Sequence, residues 1–172
     1  SLAPFVAEGN WVIGASQGSP APAAQFFWSP AVTNYNSSLT LPSIDGSEIS
    51  DSVSFKYDLH LNNYSINTLE EFAVEINTGN DWNTLATYNN SAGSIPWDYS
   101  VHDVSDYFPA DSVQIRFRAY GENTYNINHW VVDNIVLGGV PDNMPPANPQ
   151  DLSASPGNNR VTLTWSPNSE DD

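Results

Sequence analysis

The chain of 172 residues contains no cysteine. Disulfides therefore do not hold its fold, and thiol catalysis and thiolate zinc sites are excluded. Basic residues are nearly as scarce. Four of them stand against 20 acidic residues, for a formal net charge of −16. Such a surface repels nucleic acid and anionic membrane and argues against both as partners. No apolar run approaches the ~20 residues that span a bilayer, and no signal peptide is visible at Ser1. Neither end resembles a natural terminus, so the chain reads as an internal piece of something longer. Strong helix formers are few, with a single Met and a single Lys.

What is present points to β structure. Aromatics make up 12% of the chain, and 13 Pro with 10 Gly punctuate it often. In "SVQIRFRAY", Val113, Ile115, Phe117 and Ala119 point one way, while Gln114, Arg116, Arg118 and Tyr120 point the other. This is the period-two alternation of a strand with one dry face. "DSVSFKYDLHL" repeats it, with Val53, Phe55, Tyr57 and Leu59 inward and Lys56 and Asp58 outward. "EFAVEINTGNDWNTLATY" reads as a hairpin turning at "NTGND", with Trp82 to Tyr88 as the return strand. "NWVIGAS", "QFFWSPA", "SLTLPSI" and "HWVVDNIVL" add strands, and "SVHDVSDYF" reads as a turn or short helix capped by Asp103 or Ser105. Seven to nine short strands without a long helix predict an all-β fold, a jelly-roll β-sandwich, over residues 1–140. "GGVPDNMPPANPQ" then reads as a stiff Pro-rich linker over 141–149.

Residues 150–172 change pattern. Leu152 and Ala154 suggest one strand, "PGNN" a turn, and Val161, Leu163 and Trp165 a second strand. This resembles the opening of a fibronectin type III (Ig-like) domain, truncated after two strands, with Trp165 matching that domain's core tryptophan. Two strands cannot bury a core alone, so the segment is expected to fray, pack elsewhere or pair with another chain.

Four segments then follow in a telling order: "LTLPSIDGSEISDSVSFKYDL", the "EFAVEINTGNDWNTLATY" hairpin, "WDYSVHDVSDYFPADSVQIRFRAYG" and "NHWVVDNIVLGG". Together they resemble the jelly rolls of MAM domains, bacterial choice-of-anchor J domains and the cleaved-adhesin domains of gingipain-type proteases. MAM domains usually carry cysteines, so the bacterial relatives are the better match. The resemblance implies an extracellular, non-catalytic binding or adhesion module of a larger secreted or cell-surface bacterial protein. It implies glycan or protein ligands, a structural Ca²⁺, and neighbouring domains of the same polypeptide as partners. Three other readings stand beside it: a carbohydrate-binding module of a secreted enzyme, a filament or sheath subunit assembled by strand addition, and an accessory domain of a secreted protease.

For the metal, Asp133 is the leading candidate. Alternation places it beside Val131, Ile135 and Leu137 on the dry face, and a buried carboxylate needs a cation or several N–H donors. In these sandwiches the first and last strands tend to lie close, which offers Glu8 as co-ligand. Asp45, Glu48 and Asp51 in "IDGSEISD" supply further oxygens for a Ca²⁺ that wants six to eight. Without a metal, Asp133 reads as a cap on nearby backbone N–H groups. For a ligand, the candidates are Trp28, Trp82, Trp97 and Tyr125, which fit sugar stacking, with Tyr64 and Tyr120 comparable. Arg116 and Arg118 form a positive patch, joined by Lys56 if its strand is adjacent. Cross-strand pairing of the arginines with Glu75 or Asp58 is the structural alternative. His60, His102 and His129 are scattered, and HExxH, GxSxG and phosphate-loop motifs are missing. The chain is therefore not expected to be an enzyme.

Overall fold

The computed structural model describes residues 4–49, 52–139 and 150–166. The predicted linker 141–149 and Asp51 lie outside the described residues. The chain divides into two units, Ser1–Val140 and Pro141–Asp172.

The first unit opens with β1 (Val6–Ala7), β2 (Trp11–Gly14), β3 (Ala23–Phe27), β4 (Thr33–Thr40), β5 (Ile44–Gly46) and β6 (Val53–Asn63). It continues with β7 (Glu70–Asn77), β8 (Asn83–Asn89), β9 (Ile95–Asp103), β10 (Ala110–Asn123) and β11 (Ile127–Gly139). Sheet I has the order β1-β4-β10-β7-β8, with β5 also paired to β10, and sheet II has the order β2-β3-β11-β6-β9. Every pairing is antiparallel. Only two single 3-10 turns, Ser105–Tyr107 and Thr124–Asn126, interrupt the strands, and no α-helix occurs among the described residues. This is the jelly-roll sandwich that the alternation predicts.

The core forms where the inward phases of the two sheets meet. Sheet I contributes Leu39, Phe72, Val74, Ile76, Phe117 and Ala119, and sheet II contributes Phe55, Tyr57, Leu59, Leu61, Trp130 and Val132, all buried. Rings carry much of the contact. Phe72 meets Trp130 across the layers at 5.0 Å, and Phe117 touches Phe55, Tyr57 and Phe72 at 5.4–6.0 Å. Such tilted and edge-on pairs suit the quadrupoles of the rings as well as burying area.

Four sequence expectations are corrected. First, the start of "SVHDVSDYF" belongs to a nine-residue edge strand, β9, which also carries Trp97, and only Ser105–Tyr107 forms a turn. Second, β11 is bulged. Asp133 pairs with Asp58 but Val136 pairs with Lys56, so one extra residue enters, and Asn134 takes φ 49°. A bulge of this kind breaks the period-two phase. Trp130 and Val132 therefore face the core before it, Ile135 and Leu137 pack against the core after it, and Asp133 does not share their face. Third, β1 belongs to sheet I and β11 to sheet II, so the first and last strands are not hydrogen-bonded neighbours. Fourth, Lys56 lies in sheet II, apart from the arginines of β10 in sheet I.

The second unit contains β12 (Gln150–Gly157) and β13 (Arg160–Ser166), a two-stranded antiparallel hairpin. Asn159 takes φ 56° in its turn, the left-handed conformation that Asn tolerates. Leu152, Val161, Leu163 and Trp165 are all exposed. Trp165 is thus not a core residue among the described residues.

Candidate functional site

The predicted ligand residues separate onto two faces. On sheet I the inward phase of β7 and β10 leaves Glu75, Arg116, Arg118 and Tyr120 pointing outward. Glu75 and Arg116 are register partners. Glu75 is 4% exposed, and its Oε2 accepts from Arg116 Nε at 2.6 Å and Arg118 Nε at 3.0 Å. Its Oε1 accepts from Arg118 Nη2 at 2.8 Å. Burial works to raise the Glu75 pKa, but the hydrogen bonds from Arg118 and Arg116 outweigh it, and the carboxyl stays ionised below its usual range. The same hydrogen bond holds Arg118 above its ordinary value.

Two guanidiniums thus share one carboxylate, and Glu71, the register partner of Tyr120, adds a second negative charge beside Arg118. Each guanidinium lies over an aromatic ring, Arg116 over Trp82 and Arg118 over Tyr120, both at 4.1 Å. Arg116 donates only through Nε, so among the described residues its two terminal amino groups meet no protein acceptor. The arrangement is a flat polar centre flanked by Trp82 and Tyr120, with fork-shaped donors held in place by stacking. Of the sequence alternatives for the arginines, pairing with Glu75 is what the structure shows.

Sheet II carries Trp97 and, at its end, Trp28 and Tyr125. Trp97 stacks on His60 at 5.2 Å, and His60 lies 5.9 Å from His129. The histidines, scattered in sequence, are therefore partly gathered by the fold. Trp28 meets Tyr125 at 5.8 Å, and Tyr125 meets Tyr64 at 5.3 Å, both edge-on. These three rings, with Ile127 and Asn128, line a recess of about 210 Å³.

Behind that recess is a buried polar network that the sequence reading missed. Glu70 is fully buried and meets no cation among the described residues. It accepts from Thr68 Oγ1, from Asn126 Nδ2 at 3.0 Å and from Asn123 N at 3.1 Å. A Cβ at Gly121, its register partner on β10, would collide with its carboxylate. Asn126 O in turn holds the backbone N–H groups of Tyr64 and Ser65, and buried Asn90 donates to Ser65 O and Thr68 O. The network fixes the two loops that present Tyr64 and Tyr125. Nearby Tyr35 has its pKa pushed up, first by burial and then by the Glu70 charge. The signal was present, since Glu70 shares the inward phase of Phe72, Val74 and Ile76.

The four candidate metal ligands are not brought together. Asp133 Oδ2 accepts from Ser19 N at 2.6 Å and its Oδ1 from Asn134 N at 2.9 Å. Glu8 Oε2 accepts from Ser38 N at 3.1 Å, and Asp45 Oδ1 from Ser47 N at 3.0 Å. Glu48 lines a separate, largely apolar recess with Leu41, Ile44 and Leu137. Among the described residues no group of three or more carboxylates or imidazoles converges. These residues therefore do not fit a Ca²⁺ cage of six to eight oxygens. Asp133 is a backbone cap that ties the segment around Ser19 to β11, and Asn134 Nδ2 completes the tie through Ser19 O at 2.9 Å.

No protein-family profile and no curated protein matches this sequence. Solved structures do match its fold. The K1 cleaved adhesin domain of Lys-gingipain from Porphyromonas gingivalis W83 is 14% identical, with a TM-score of 0.59 over 80% of this chain and 92% of that one. The carbohydrate-binding module TmCBM61, solved with β-1,4-galactotriose, is 10% identical, with a TM-score of 0.57 over 81% and 91%. The C-terminal family 22 carbohydrate-binding module of Clostridium thermocellum Xyn10B is 10% identical, with a TM-score of 0.51 over 84% and 91%. The chain thus has the β-sandwich jelly-roll fold of these adhesin and carbohydrate-binding domains.

Proposed function

We propose that this protein is a non-catalytic carbohydrate-binding module of an extracellular protein, and that it takes its ligand on the outer face of sheet I. The observation that carries this reading is the pair of arginines sharing buried Glu75 between Trp82 and Tyr120. A sugar ring offers an apolar C–H face to an indole or phenol. Its neighbouring hydroxyls match the spacing of a guanidinium fork, and Arg116 has amino groups to give. The fold shared with TmCBM61, which was solved with a galactotriose, supports the same reading. Adhesion through a glycan of a cell surface or matrix is the role consistent with the gingipain adhesin fold.

The test is affinity electrophoresis through gels cast with soluble polysaccharides, neutral and acidic, beginning with β-1,4-galactan. Native protein is retarded by at least one polymer. Trp82→Ala weakens that binding about tenfold, the upper range for one lost aromatic contact. Migration unchanged by every polymer would overturn the reading.

A further inference from the structure

The opposite face of the sandwich carries a second run of rings, and the arginine-centred site does not use it. Trp97 on β9 stacks on His60 of β6, and His60 adjoins His129 of β11. His129 is the register partner of Phe27 on β3. Phe27 touches Trp28 at 5.8 Å, and Trp28 leads through Tyr125 to Tyr64. The run crosses four adjacent strands. Three inter-strand gaps of ~4.8 Å make about 14 Å, the reach of a short oligosaccharide rather than of a single ring.

Both ends of the run stand open. Trp97 is 39% exposed, with Tyr99 at 61% two residues further along the same edge strand, and Tyr125 at the other end is 51% exposed. Between them the run is largely covered: His129 is 8% exposed, and its Nε2 and Nδ1 of His60 are buried without a hydrogen-bond partner. Asn128 Nδ2 donates to Asn62 Oδ1 at 2.9 Å beside them. The buried Glu70 network fixes the loops that hold Tyr64 and Tyr125 in place.

We infer that this aromatic run on sheet II is a second, independent platform for an uncharged linear glycan, so that the module is bivalent. The exposed rings of Trp97, Tyr99, Tyr125 and Tyr64 suit the C–H faces of sugars, and the phenol hydroxyls suit their hydroxyl groups. Burial keeps both imidazoles neutral at neutral pH, and each has its pKa lowered. Asp58 and Asp133 flank the run and disfavour an anionic chain. With one platform on each sheet, the protein can join two glycan segments at once, and avidity on an insoluble polymer then exceeds either single affinity.

The experiment uses the full chain and three variants, Trp82→Ala, Trp97→Ala/Tyr125→Ala, and the triple combination, each confirmed folded by its thermal melt. Probes are soluble β-1,4-galactan and glucomannan, with polygalacturonate as the acidic comparator. Titration calorimetry reads the stoichiometry and affinity electrophoresis reads the retardation. Trp82→Ala is expected to keep one class of sites for a neutral polymer. The double variant should lose that class, with affinity reduced about tenfold or more, and the triple variant should bind nothing. If Trp82→Ala alone abolishes all binding, the second platform is refuted while the glycan reading survives. If only the double variant abolishes binding, the second platform stands and the arginine-centred site falls. A native protein that no polymer retards overturns both.

Discussion

Three carboxylates that a sequence treats alike do three different jobs here. Glu75 pairs with two guanidiniums, Glu70 accepts hydrogen bonds from uncharged donors only, and Asp133 caps two backbone N–H groups. Glu75→Gln leaves two stacked arginines around an amide. The cost is expected to be on the order of 1–2 kcal/mol, below the 3–5 kcal/mol of a fully buried broken pair because the guanidinium edges reach water. Urea denaturation of the variant measures it, and an unchanged midpoint would show the centre to be slack. Asp133→Ala frees the backbone around Ser19. The expected result is faster amide exchange at Ser19 and Asn134, with added Ca²⁺ leaving the melting temperature of native protein and variant alike unmoved. A Ca²⁺-dependent rise in the native protein that is lost in the variant would restore Asp133 as a ligand.

At the scale of elements, the strands with clean alternation were legible. β6, β7 and β10 follow the predicted faces, because their inward residues are large and unbroken in phase. The failures have physical causes. β11 reads as one strand until the extra residue at Asn134 resets its phase, and a bulge leaves no mark in hydrophobicity alone. β9 lies at a sheet edge, so the apolar residues Trp97, Tyr99 and Val101 of its alternation face outward and are exposed, and its start does not read as a strand. The candidate residues were legible one by one, as aromatics and scarce cations. Their division between two faces was not, because it depends on strand order, which pairs β10 with β7 and β11 with β6. The layers themselves hang on few contacts that matter greatly. Phe117→Ala removes a fully buried ring that touches Phe55, Tyr57 and Phe72, and should cost about 3–5 kcal/mol. A loss under about 1 kcal/mol in denaturant would mean that the core collapses into the space.

For the whole molecule, charge and histidine act in separate pH windows. Between pH 7 and 5.5 ordinary carboxylates, with pKa values near 4, stay ionised, so the charge of −16 changes little. The imidazoles do titrate. Burial lowers the pKa values of His60, His102 and His129 below 6.5. The unfolded chain then binds more protons than the folded one as pH falls through 6.5, and stability drops. The melting temperature should fall from pH 7.5 to 5.5, and fall less in a His60→Asn/His129→Asn variant. A melt that rises on acidification would show charge relief to dominate. The central claim, that this sandwich presents an aromatic and guanidinium face to a glycan, is tested most directly by the six indole N–H signals in a ¹⁵N–¹H spectrum. During titration with a polysaccharide that retards the protein, Trp82 is predicted to shift while core Trp11 and Trp130 stay fixed. Saturation with Trp82 unmoved would contradict the account.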